Sequence, residues 1–254
     1  MDEARRCAPI CDIRHGVLLQ AALNGPWTKA QHPAVPVSVD ELAADADACA
    51  AAGAQLLHIH LRDPRGRETF DPAIVDGVVA VVRSACEVPV GVSTGAWIES
   101  DWRRRIELVG AWTEPDYASV NMSEDGSEEV MAALIRAGIG IEAGVSSVED
   151  AERLARSGFA DRVTRILVEP VDVEAHEAVV VVGGIHAALD GAAIEVPRLQ
   201  HGDGHAAWVL IEDAIRRRVD TRVGLEDTQY EPGGELTTGN AALVHAARRL
   251  GAER

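Results

Sequence analysis

The chain has one lysine, Lys29, among its 24 lysine and arginine residues. Imine chemistry requires a lysine amine with its pKa lowered inside a pocket. Lys29 falls outside every predicted strand, so a Schiff-base mechanism on a core strand has no candidate. Cysteines are also scarce: Cys7, Cys11, Cys49 and Cys86 show no zinc-ribbon spacing. A disulfide scaffold is the device of much smaller chains, so reduced thiols are expected, with Cys7 and Cys11 near a loose N-terminus. Long apolar runs are missing as well. The stretch AVVVVGGIHAAL is too short and interrupted to cross a bilayer, and no signal-peptide pattern is visible. Cationic surplus is absent, the formal net charge being −17. Phosphate contacts need a cationic face, which argues against nucleic-acid binding. The expectation is a soluble, cytoplasmic protein.

What remains is rich in structure. Of 254 residues, 47% are apolar, enough to bury one large α/β core. Short β-branched runs predict strands at 17–23, 55–61, 89–93, 117–121, 139–143, 164–168, 196–200 and 221–225. Alanine-rich amphipathic runs between them predict helices near 38–52, 72–86, 98–110, 126–137, 147–157, 174–190, 203–218 and 237–250. Ser38 with Glu41 forms a capping box, and Ser147 with Asp150 resembles one. Alternation repeated eight times within one chain predicts a (β/α)8 barrel as a single domain, residues 17–254 after a tail of 1–16. The competing doubly wound sheet would call for Gly-x-Gly-x-x-Gly after the first strand, and none is there.

Alternate side chains of a strand share a face. With the aliphatic residues set against the helices, the inward set is Gln20, Ala22 and Asn24, then His58 and His60, then Gly91 and Ser93. Ser119 and Asn121, Gly140 and Glu142, and finally Arg222, Gly224 and Glu226 complete it. The last inward residue of six strands is polar: Asn24, His60, Ser93, Asn121, Glu142 and Glu226. A packed barrel interior prefers branched aliphatics, and barrel enzymes place their chemistry at the C-terminal ends of the strands. A polar ring there predicts an active-site mouth.

His58 and His60, two residues apart on one strand, project the same way with Cα atoms roughly 6–7 Å apart. Two imidazoles at that spacing suit one metal ion, given a third ligand and an open position. The third ligand should be an inward carboxylate, Glu226 or Glu142. Zinc is the first choice for such a set, with iron, manganese and nickel as alternatives.

Taken together, LLHIHLRDPRGRETFD, VGVSTG, SVNMSE, GIEAGV and RVGLEDT resemble the β-keto acid cleavage enzymes, in order from ALNG on the first strand to the eighth. The resemblance implies a zinc-dependent acyl exchange in which a β-keto acid reacts with acetyl-CoA to give acetoacetate and a new acyl-CoA. It implies a metal on His58, His60 and Glu226, and an acid/base unit of Asp227 and Arg222 with Glu142 contributing in the pocket. Asn24, Ser93, Thr94, Gly95, Ser119 and Asn121 would bind substrate. A homo-oligomer, a tetramer, is also implied. The chemistry fits: a ketone on a Lewis acid is electrophilic, and acetyl-CoA would surrender a methyl proton to a positioned base. A metal-dependent retro-aldol or decarboxylating lyase that needs no coenzyme A is the competing enzyme reading. A barrel kept as a small-molecule binder is the third.

Several other groups have plainer readings. Arg62, Arg65 and Arg67 are candidates for coenzyme A phosphates or a solvated Asp-Pro turn. Arg103 to Arg105 read as helix surface. His201 and His205 are candidates for the border of the mouth, with a solvated helix start as the plainer reading; Trp97, Trp102 and Trp112 read as packing residues, and Arg222 with Asp227 alternatively as a structural ion pair.

Overall fold

The computed structural model describes residues 16–252. Cys7, Cys11 and nearly all of the predicted tail lie outside them. Eight parallel strands close on themselves in sequence order: β1 Leu19–Ala22, β2 Leu56–Ile59, β3 Val90–Ser93, β4 Tyr117–Asn121, β5 Gly140–Val145, β6 Arg165–Val168, β7 Arg198–Gln200 and β8 Asp220–Val223. The helices between them are α1 Val39–Ala52, α2 Pro72–Cys86, α3 Trp102–Val109, α4 Ser127–Ala137, α5 Val148–Arg156, α6 Ala175–Gly191, α7 Ala207–Arg217 and α8 Asn240–Leu250. The predicted (β/α)8 barrel is the observed fold. Among the described residues no helix is long and apolar enough to cross a membrane.

The boundaries moved for local reasons. Helix α3 starts four residues later than predicted because the Asp101 carboxylate accepts from Arg103 N at 3.0 Å and sets the cap there. Helix α8 starts at Asn240 because Tyr230 and Leu236 form an antiparallel bridge ahead of it. Strand β5 runs two residues beyond its predicted end, to Val145, with a consequence for Glu142 described below. Ser38 and Glu41 make the full capping box, and Ser147 accepts from Asp150 N.

The outward strand residues, among them Leu57, Ile59, Val92, Val120, Ile141, Ile166 and Val223, form one continuous core with the helices. Burying each such side chain contributes about 1.5–3 kcal/mol. Inside the barrel the filling is layered. Leu18, Leu56 and Tyr117 form a separate small apolar cluster. Above it Gln20 donates from Nε2 to Tyr117 Oη at 3.0 Å and Glu142 Oε1 at 3.0 Å, while Arg165 reaches Glu142 Oε1 at 2.8 Å. Tyr117 lies where a side chain on Gly91 would sit: a Cβ there would be 1.9 Å from the ring. The phenol donates to Leu57 O, so the ring cannot withdraw. Gly91→Ala should therefore destabilise the barrel by about 3 kcal/mol, with partial recovery in Gly91→Ala/Tyr117→Leu, both read from urea unfolding.

Asn240 ties the first and last strands to α1. Its side chain donates to Leu23 O at 2.8 Å and Asp45 Oδ2 at 2.6 Å, and accepts from Leu225 N at 2.7 Å. Burial pushes the Asp45 carboxyl up to about 6, against the pull of the Asn240 donor. A carboxyl raised on folding contributes stability below its ordinary value near 4 and loses it as pH rises through 6. Asp45→Asn should accordingly be more stable than the parent at pH 8 by about 1–2 kcal/mol, with the gap closing below pH 4 in a pH series of thermal melts.

Candidate active site and metal centre

At the C-terminal ends of the strands the barrel opens into a cavity of about 420 Å3. Its floor and walls include His58, His60, Ser93, Ser119, Asn121, Arg222, Glu226 and Asp227. Eight of the predicted site residues thus share one cavity.

His58 arrives on β2 and His60 just past its end, with the alternation carried on between them, and Glu226 comes from the turn after β8. Their ligand atoms all lie within 4.8 Å of one another. Glu226 Oε1 stands 3.8 Å from His58 Nε2 and 3.5 Å from His60 Nε2. The other nitrogen of His60, Nδ1, is 2.5 Å from Glu68 Oε1. That carboxylate comes from the loop after β2 and was not foreseen; a histidine ligand is commonly oriented in this way by a carboxylate on its second nitrogen. Glu68 in turn accepts from Trp97 Nε1 at 3.2 Å, and the indole stacks on His60 at 6.1 Å between centroids. Trp97 is therefore a cavity residue and not the packing residue expected, whereas Trp112 is buried against Phe70 as expected.

Three observations fit a cation at this trio. Glu226 Oε2 is buried without a hydrogen-bond partner. Burial brings the His58 imidazole down to about 3 despite the Glu226 charge, so it presents a neutral nitrogen. Burial opposes charge on His60 too, yet Glu226 and Glu68 together lift it to about 9. The space beside Glu226 favours positive charge.

Arg222 organises the far wall. Its Nε donates to both Asp227 oxygens at 3.2 and 3.1 Å, and its Nη2 to Asp227 Oδ1 at 2.6 Å and Glu226 Oε1 at 3.0 Å. Burial would raise Glu226, but Arg222 and the two imidazoles hold it well below the usual carboxylate range. Burial pushes the Asp227 carboxyl up from its ordinary value against the same guanidinium. Gly25 makes the approach of Glu226 feasible. It has a φ of +50°, and a Cβ there would be 2.6 Å from Glu226 Cγ.

Four predicted site residues lie elsewhere. Asn24 falls beyond the end of β1, where alternation lapses. Its amide clamps the His60 backbone instead, accepting from His60 N at 2.9 Å and donating to His60 O at 2.9 Å and Pro36 O at 3.2 Å. Thr94 donates to Ser119 O at 2.7 Å. Gly95 donates from N to Ser93 Oγ at 3.2 Å and lies under the Trp97 ring. Glu142 sits one layer below the cavity, bound to Gln20 and Arg165. The extra turn of pleat in β5 explains it: Gly144, not Glu142, is the strand's last inward residue before Ser146, and both of these line the cavity.

Sequence reading missed Glu169 and held His201 at the mouth only as the second of two readings. Both line the cavity, and His201 Nε2 lies 3.0 Å from Glu169 Oε2. Burial brings His201 down to about 4 and lifts Glu169 to about 7. His201 is buried, not a solvated helix start. Their position just past β6 and β7, where the inward pattern ought to continue, was the available signal. Arg105 is likewise buried, held by Glu124, Thr94 O and Asp125 O, and not a surface residue. Arg62 donates to Gly25 O and Trp27 O at 2.9 and 2.7 Å, and Arg67 pairs with Asp63 at 2.8 Å.

Residues 16–165 match the family described as beta-keto acid cleavage enzyme. The chain belongs to the β-keto acid cleavage enzyme family. The matched stretch carries both imidazoles and ends as β6 begins, so Arg222, Glu226 and Asp227 lie beyond it. A 3-keto-5-aminohexanoate cleavage enzyme of Fusobacterium nucleatum is 25% identical over 93% of this chain and 92% of its own. A 3,5-dioxohexanoate:acetyl-CoA acetone transferase of Paraburkholderia graminis is 29% identical over 42% of this chain and 34% of its own. The barrel of ObcA, solved as a ternary complex with a C4-CoA adduct and oxalate, superposes with a TM-score of 0.69 at 16% identity. That superposition covers 85% of this chain and 63% of ObcA, and at that identity it speaks to the fold alone.

Arg165 is what makes buried Glu142 tolerable in this member of the β-keto acid cleavage enzyme family. Arg165→Met, which leaves that carboxylate without its cation, should cost about 3–5 kcal/mol in urea unfolding. Arg165→Met/Glu142→Leu should recover most of that loss, because replacing both partners of a buried pair is commonly neutral.

Proposed function

We propose that this enzyme catalyses a metal-dependent acyl exchange, converting a β-keto acid and acetyl-CoA into acetoacetate and a new acyl-CoA. The observation that carries the reading is the convergence of His58, His60 and Glu226 beside the Arg222–Asp227 pair, in a member of this family. Zinc is the metal the donor set suits best, two imidazole nitrogens and one carboxylate leaving a position open. When bound, such an ion supplies Lewis acidity toward a ketone oxygen.

Atom balance identifies the proton to be moved. Acetoacetate carries the CH2COO− unit of the β-keto acid, joined to the acetyl carbon of the thioester. The bond formed links those carbons, and the bond broken is the one between that methylene and the old ketone carbon. The thiolate released by acetyl transfer becomes the partner of the departing acyl group. The carbon acid is therefore the methylene of the β-keto acid, not the acetyl methyl group expected at first. Its proton goes to Asp227 and returns from Asp227 to the acetoacetate carbon, so no net proton is consumed.

Asp227 suits this task because it is buried at the cavity wall and fixed by Arg222. Burial keeps its carboxyl basic, and the guanidinium stabilises the charged form between transfers. On the β3–β4 side, the Ser93 and Ser119 hydroxyls offer donors to the substrate carboxylate, beside Asn121, whose Nδ2 donates to Glu124 Oε1 at 3.0 Å. Trp27 and Trp97 stand half-exposed at the rim, where they restrict water around the reacting groups.

The test is a panel of 3-keto acids with and without acetyl-CoA, alongside metal analysis of the purified protein. Acetoacetate should form only with the thioester present; cleavage without it would favour the lyase. Glu226→Gln and His60→Ala should lose bound metal and activity while the far-ultraviolet circular dichroism is unchanged. Glu68→Gln should weaken metal affinity about 10–100-fold. Asp227→Asn should keep its metal and lower kcat by about 10²–10⁴.

A further inference from the structure

One pair of side chains on the cavity wall has no task in the chemistry above. Glu169 follows β6 and His201 follows β7, and both side chains line the cavity. Their placement is built into three strands. His201 N donates to Val168 O at 3.1 Å, which fixes the main chain. Gly144 on β5 leaves room for the carboxylate: a Cβ there would be 2.3 Å from Glu169 Oε1. The Glu169 Oε2 to His201 Nε2 contact of 3.0 Å then fixes the imidazole plane.

The other ring nitrogen is the informative one. His201 Nδ1 is buried and has no hydrogen-bond partner, and it lies 3.7 Å from Asp227 Oδ1. A buried ring nitrogen left unmatched is costly, and 3.7 Å is just beyond hydrogen-bond range. Contacts of this kind in a ligand-free site tighten when substrate binds. Arg222 reaches Asp227 through Nε and Nη2, while His201 stands beside the same oxygen, Oδ1, that takes the shorter of those bonds.

We propose that His201, oriented by Glu169, is a positioning residue for Asp227. Its Nδ1 edge confines the carboxylate to the orientation in which it meets the methylene of the β-keto acid. The proposal rests on the reading of Asp227 as the proton-accepting carboxylate. The competing role is a structural tie between β6 and β7 made through Nε2 alone. The two edges of the ring can be tested separately, because asparagine places a polar group near the Nδ1 position and glutamine near Nε2.

His201→Asn should keep kcat within about fivefold of the parent, whereas His201→Gln should lower it about 100-fold, the effect of a carboxylate misplaced by an ångström. KM for the β-keto acid and metal content should stay within twofold in both. A measurement that needs no turnover accompanies this: in protein labelled with 15N-histidine, Asp227→Asn should move the His201 Nδ1 resonance, identified by its loss in His201→Asn. Rescue by glutamine and not by asparagine would overturn the proposal. An unmoved resonance, with turnover lost in Asp227→Asn, would overturn the positioning role alone. Parental turnover in Asp227→Asn would overturn the base assignment and the positioning role with it.

Discussion

The site depends on one guanidinium serving two neighbouring carboxylates. Glu226 and Asp227 are consecutive, largely or fully buried and aimed into the same cavity, an arrangement that like-charge repulsion and desolvation both oppose. Arg222 offsets this by donating to both at 3.0 and 2.6 Å from one nitrogen. Its position on β8 is not incidental. Arg222 projects inward from the strand, and the chain turns immediately beyond Val223, so the acids fold back over it. A strand continuing through residue 227 would place Glu226 and Asp227 on opposite faces. The tight turn, with Asp227 N donating to Gly224 O at 2.9 Å, lets both face the cavity.

Much of this could be read from the chain before folding. The eightfold alternation identified the barrel, and period-two patterning identified His58, His60, Ser93, Ser119, Asn121 and Arg222 as inward. Those inferences need only strand geometry, which does not depend on distant sequence. What could not be read was depth. Barrel strands are staggered, so equal positions along two strands sit at different heights above the floor. Glu142 pairs in register with Ser119 on one side and Arg165 on the other, yet Ser119 lines the cavity and Glu142 lies beneath it. Only closure of the barrel, with the length of β5, sets that difference. Asn24, expected at the site, and Glu68, not foreseen, show the other gap: both lie past a strand end, where the chain leaves the pleat and side-chain direction is set by local turns.

The polar layer beneath the cavity bears on the site as well. Gln20, Tyr117, Glu142 and Arg165 fill the space that branched aliphatics fill in most such barrels. The layer is nearly satisfied internally, with Glu142 accepting from Gln20 and Arg165 and Arg165 Nε lying 3.7 Å from Asp220. It buries charge that the cavity would otherwise feel directly. A rigid polar floor holds the β2 and β8 backbones at fixed separation, and the imidazoles and Glu226 inherit their spacing from those two strands.

The charge balance of the mouth favours a cation independently of ligand geometry. Glu169, Asp203, Glu226 and Asp227 bring four carboxylates to the cavity wall, and the arginine that faces them there is Arg222. His58 and His201 are held neutral by burial, so neither offsets the surplus. Burial already lifts Glu169 to about 7, a sign of how strongly the site resists further negative charge. A substrate carboxylate entering such a cavity would add to the repulsion. A divalent ion held by Glu226 and the imidazoles would reverse that sign locally, on the side where His60 is already driven to accept a proton. The ion that would polarise the ketone would also make the pocket hospitable to an anionic substrate. In an acidic protein with a single lysine, no flexible ammonium group is at hand to do either.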